Sequence, residues 1–144
     1  MLIWFTLLTI GLPWLGALCV WLVGNRRPRR LHGLAVAFAV ATGLAALGML
    51  PFATGQVAVR IQAGGIFGDF TLVPDGLGVC IACIAAVVGC LAVIFSVDYM
   101  HHEEEELARY YALILFFIGA MAGVGLSGSL LLMFLFWEIT ALCS

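Results

Sequence analysis

The chain has 144 residues, of which 65% are hydrophobic and 10% charged, with a net charge of -2. A mean hydropathy of +1.19 excludes a water-soluble domain of this size, and the net charge of -2 argues against a nucleic-acid partner, which would want a basic face. The five Cys lie in apolar runs and read as small hydrophobes, not as a disulfide framework.

A helix needs roughly 20 apolar residues to cross about 30 Å of hydrocarbon. Residues 2–23 satisfy this, as do 31–52, 76–97 and 108–126, and a fifth apolar run starts near Ser129. The expected class is therefore an all-α integral membrane protein, a polytopic helix bundle with four full spans plus the start of a fifth. A signal peptide is not expected, because the start lacks a basic segment and the apolar run is too long. Trp4 and Trp21 fall near opposite ends of the first span, where indoles favour the headgroup region. All six cationic side chains are Arg, and Arg26, Arg27, Arg29 and Arg30 crowd the first loop. Positive charge favours the cytoplasmic side, so that loop and the 99–107 loop should face inward, joined by Arg109. The N-terminus and residues 53–75 should then be external, with Arg60 the exception. The location expected is the cell inner (plasma) membrane.

Between the second and third spans, residues 56–61 and 69–73 alternate with the period of a strand. Ala63, Gly64, Gly65 and Gly68 separate them as turn formers, giving a short external β-hairpin. The His101–Glu106 run reads as a solvated helix start, with a surface cation site as the weaker alternative. Gly78, Ala82, Ala85, Gly89 and Ala92 recur at helical spacing, and Gly119–Gly123 is a GxxxG. Such faces let membrane helices approach closely and say nothing about chemistry.

Several chemistries fail on inspection. No Lys-Ser/Thr follows the glycines of 119–128, so there is no phosphate loop. Ser129 stands where a nucleophile elbow needs its last Gly. Cys80 and Cys83 share a helical face, but two thiols without a nearby His do not make a zinc or cluster site. No metal site and no bound cofactor is expected.

Glu138 remains. It lies nine positions beyond Ser129, about 14 Å deep at ~1.5 Å per residue, close to mid-bilayer. Its helical neighbours Phe134, Leu135, Ala141 and Leu142 cannot pair with a carboxylate. The chain has no Lys, so a counter-charge at that depth must come from elsewhere. Intramembrane acids are seldom idle, and loss of water favours the neutral form of a carboxyl, which suits it to proton loading and release. The alternative is a protonated Glu that only hydrogen-bonds a neighbouring helix. Asp75 and Asp98 fall at helix ends and read as structural; Phe136 and Trp137 read as packing around the acid.

Phe136-Trp-Glu-Ile-Thr-Ala-Leu-Cys-Ser144 resembles the fifth-helix signature of the antiporter-like subunits of respiratory complex I and of multisubunit cation/proton antiporters. The stretch from Arg109-Tyr-Tyr111 to Ser127 resembles that family's fourth helix. Pro74-Asp-Gly-Leu77 and Phe95-Ser-Val-Asp-Tyr-Met100 are similar to the two ends of its third. The resemblance implies an inverted-repeat fold of about fourteen helices, in which the residue matching Glu138 pairs with a lysine on a later broken helix. It divides the chain into 1–75, the first two spans and hairpin, and 76–144, a complex I subunit 5-like region running into the proton-antiporter domain.

The function so implied is proton translocation by one membrane subunit of a redox-driven NADH-quinone oxidoreductase-like or hydrogenase complex, with Glu138 loading the proton. Redox centres would reside in other subunits, since no flavin, nicotinamide, iron–sulfur or quinone site is recognisable here. The expected partners are other membrane subunits, the lipid bilayer and protons, with Na+ as the alternative coupling ion. The other two readings are the A-type subunit of a multisubunit Na+/H+ antiporter and a non-transporting assembly protein of the membrane. Because a chain terminus at Ser144 would fall within the hydrocarbon, the sequence is expected to be a fragment.

Overall fold

The computed structural model describes residues 1–26, 28–62, 69–99 and 106–144. Arg27, the 63–68 turn with its glycines, and most of the His101–Glu106 run lie outside the described residues. The elements are α1 (Leu2–Val23), α2 (Pro28–Met49), β1 (Val59–Gln62), β2 (Asp69–Leu72), α3 (Gly76–Tyr99), α4 (Leu107–Leu126) and α5 (Leu130–Cys143). Among the described residues, four helices are long and apolar enough to cross a membrane, and α5 is a shorter apolar helix. This is a multi-pass membrane bundle with a small two-stranded sheet.

Helix α2 starts three residues before the apolar run does. Pro28 occupies its first position, where a missing N–H costs nothing, and Arg29 and Arg30 fill its first turn with their side chains exposed. Helix α1 ends at Gly24, whose φ of 60° and ψ of -177° suit only a residue without Cβ. Inside the helices, polar side chains bond their own backbone. The hydroxyls of Thr6, Thr9, Thr42 and Ser96 donate to carbonyls four residues back, at 2.9, 2.8, 2.8 and 2.6 Å. In lipid no water can satisfy those groups, so this internal bonding lets them be buried.

Helix α4 is the centre of the bundle, packed by α1, α3 and α5, with Tyr111, Leu115, Ile118, Ala122 and Leu126 essentially sealed. The small residues do two different things. Gly78 of α3 meets the backbone of Gly125 on α4, a direct backbone approach that any Cβ would block. Gly119 and Gly123 instead form notches for aromatic rings. A Cβ on Gly119 would lie 2.5 Å from the Trp14 ring, and one on Gly123 2.5 Å from the Phe136 ring. The GxxxG therefore receives side chains from α1 and α5, and at Gly119 the α1 backbone also comes close, the Ile10 carbonyl oxygen 3.0 Å from where a Cβ would stand.

The hairpin pairs Val59–Gln62 with Asp69–Leu72 in antiparallel register, Arg60 opposite Thr71. Its first strand is shorter than the expected 56–61 run and begins later. Arg60 lies 3.6 Å from Asp69, an exposed contact that offsets the lone cation at this end. The hairpin is also fastened to the bundle. Val73 N–H donates to the Leu126 carbonyl at 2.8 Å, Gly128 N–H to the Thr71 carbonyl at 2.7 Å, and Leu72 bridges Ser127. The turn that launches α5 is thus held by β2.

Candidate functional site: the exposed face of α5

Asp75 begins the construction. Its Oδ1 accepts the Gly78 N–H at 2.7 Å, capping α3 and fixing where that helix leaves the hairpin. From there β2 anchors the 126–128 turn, and Ser129 opens α5 with extended backbone (φ -128°, ψ 142°). Phe136 then decides the rotation of α5. Its ring fills the Gly123 notch and lies 5.9 Å from Trp14, which stacks on Phe116 at 4.9 Å and donates its indole N–H to the Phe116 carbonyl at 3.2 Å. Thr140, one turn on, is buried beside it, its hydroxyl donating to the Trp137 carbonyl at 2.6 Å.

Two helical positions turn the chain through about 200°, so seating Phe136 against α4 sends Glu138 to the opposite side. Glu138 is exposed there, flanked by Phe134, Leu135, Trp137 and Leu142, all themselves exposed. None of the described residues hydrogen-bonds or ion-pairs with it. The expected packing role holds in a different form: Phe136 orients the acid from the far side of α5 and does not surround it. Trp137, 60% exposed, shares the outer surface.

The two thiols part company. Cys83 is buried and donates to the Ala46 carbonyl at 3.2 Å, whereas Cys80 is exposed on the bundle surface. Among the described residues, no three His, Cys, Asp or Glu side chains come close enough to hold a metal.

A polar contact that the sequence did not disclose lies at the arginine-rich end. His32, 8% exposed, shares a 2.7 Å hydrogen bond between its Nδ1 and the Tyr111 hydroxyl. Beside it the Tyr110 and Ser96 hydroxyls are 2.7 Å apart, and Ala108 N–H donates to Asn25 Oδ1 at 2.8 Å. These bonds tie α2, α3 and the turn after α1 to the start of α4. Partners separated by 79 residues leave no local signal; only the presence of His32 in an apolar run marked it.

The family described as NADH-ubiquinone oxidoreductase (complex I), chain 5 N-terminus, matches residues 61–111, from β1 to the first turn of α4. The A component of the Na(+)/H(+) antiporter of Alkalihalophilus pseudofirmus is 38% identical over 76 residues, which cover 53% of this chain and 9% of the relative. The A1 component of the Na(+)/H(+) antiporter of Staphylococcus aureus gives the same identity and coverage. Residues 61–111 are thus similar to the complex I chain 5 N-terminus, and about half of the chain is similar to part of the A component of Na(+)/H(+) antiporters. The chain spans only 9% of the length of those curated relatives. The match to the chain 5 family stops at Tyr111, short of Glu138.

Proposed function

We infer that this antiporter-like chain serves proton translocation in a multisubunit membrane complex, with Glu138 as the carboxyl that loads and releases the proton. One observation carries the reading: a single acid, about 14 Å into an apolar helix, is turned away from the bundle that the described residues form, with no partner among them. A carboxyl so placed must meet its counter-group on an element packed against the outer face of α5. Approach of a cation there would favour the anion, and its withdrawal would favour the neutral acid, which is a proton-loading cycle. The other membrane subunits of the complex, or further helices of an antiporter-like fold, would supply that cation.

The family description supports a redox-driven, complex I-like parent. The likeness to Na(+)/H(+) antiporters supports a second reading, the A component of a Na+/H+ antiporter, in which a Na+ gradient and not electron transfer drives the proton. Vesicles containing the assembled complex separate the two: proton movement that needs an electron donor favours the first, and movement on a Na+ pulse alone favours the second.

Glu138→Gln tests the site under either parent. Proton movement is expected to fall by about a hundredfold or more, the scale of losing a positioned proton carrier, while the complex still assembles on a native gel. Unchanged proton movement in that variant would return the chain to the scaffold reading.

A further inference from the structure

A groove between α1 and α4, at the arginine-rich end, takes no part in proton handling at Glu138. It encloses about 400 Å³ and is lined without polar interruption by Ala17, Leu18, Ala112, Leu113 and Phe116. The two alanines leave room that longer side chains would fill. At one end the lining changes character. Trp21 and Arg109 border the groove and continue into a second cavity of about 310 Å³, which adds Gly24, Asn25, Glu106 and Ala108. Arg109 Nη1 and Glu106 Oε1 stand 3.9 Å apart there, with side chains 71% and 74% exposed. This exposed ion pair therefore stands at the mouth of an apolar trough, with both charges open to a headgroup that carries a cation and an anion of its own.

This sequence of surfaces (apolar channel, indole, cation, anion) is complementary to one kind of ligand. The channel suits an acyl chain, Trp21 the headgroup level, Arg109 a phosphate and Glu106 an ammonium. We propose that the α1–α4 groove binds a phospholipid of the phosphatidylethanolamine type, its phosphate on Arg109 and its primary ammonium on Glu106. A glycerol headgroup brings no cation to Glu106. A choline headgroup brings one without an N–H to donate. From Arg109 to Phe116 the helix rises about 10 Å, within the ~15 Å depth of one leaflet's hydrocarbon.

The full chain, reconstituted in nanodiscs with equimolar ethanolamine, glycerol and choline phospholipids of identical chains, provides the test. Native mass spectrometry counts the lipid retained after release. The ethanolamine lipid is expected to be enriched about tenfold over either competitor, the scale of one charge-assisted hydrogen bond. Glu106→Gln should remove the preference over the glycerol lipid, and Arg109→Gln should lower retention of all three. Leu113→Trp fills the trough without altering charge, and should evict lipid while helix content by circular dichroism stays unchanged. Equal retention of the three lipids, or enrichment that survives Leu113→Trp, overturns the proposal. A photo-crosslinker at position 113 in cell membranes gives an independent reading. An adduct of ethanolamine-phospholipid mass supports the site, whereas an adduct with protein assigns the groove to a neighbouring polypeptide of the complex and overturns it.

Discussion

A methyl group on Gly123 would stand 2.5 Å from two carbons of the Phe136 ring, well inside contact distance. The ring has little room to retreat, because it is buried and Trp14 packs against it with centroids 5.9 Å apart. Gly123→Ala should therefore push α5 off α4 and destabilise the bundle by about 1–3 kcal/mol, the usual cost of overpacking. Reversible unfolding in mixed micelles measures this. Pairing Gly123→Ala with Phe136→Leu should recover part of the loss, since the smaller side chain makes room; a double variant no better than the single one would show that the notch does not set the position of α5. Asp75 offers a second residue-level check. Asp75→Ala removes the acceptor for Gly78 N–H and should cost about 1 kcal/mol, whereas Asp75→Asn, which keeps a capping oxygen, should cost far less. Equal losses in the two variants would mean that the cap contributes nothing.

At the scale of elements, hydropathy carried most of what could be read. The four spans and the alternation of the hairpin were visible because lipid demands long apolar helices and strands show a period of two. Boundaries were displaced where a helix continues past its apolar part. The start of α2 at Pro28 escaped because Arg29 and Arg30 can reach outward from a helical turn, so charge there does not end the helix. The presence of an acid in α5 was legible from a single letter. Its direction was not. Apart from Glu138 and Thr140, helix α5 is apolar on every side, and such a helix gives little internal sign of which side is buried. Rotation is fixed instead by the Phe136–Gly123 contact and by the attachment of β2 to the 126–128 turn, both made between segments distant in sequence. The His32–Tyr111 bond was hidden for the same reason.

For the whole molecule, the geometry sorts charge between the two ends of the bundle. The turn after α1, the first turn of α2 and the start of α4 meet at one end, tied by the Asn25–Ala108 bond, and bring together the positions of Arg26, Arg29, Arg30 and Arg109. The opposite end carries the hairpin, where Arg60 stands near Asp69 and adds little net charge. Cationic loops resist crossing the membrane during insertion, whereas acids in loops contribute little to the choice. The arginine-rich end is therefore predicted to lie in the cytoplasm, with the hairpin and the start of α1 outside. Single cysteines read this directly, because an impermeant maleimide added to intact cells reaches only the outer face. With the five native cysteines replaced, Thr54→Cys before the hairpin should label in intact cells. Arg29→Cys at the start of α2 should label only after the cells are opened. The reverse pattern would invert the topology. It would also move the α1–α4 groove, with Trp21 and Arg109 at its mouth, from the inner leaflet to the outer.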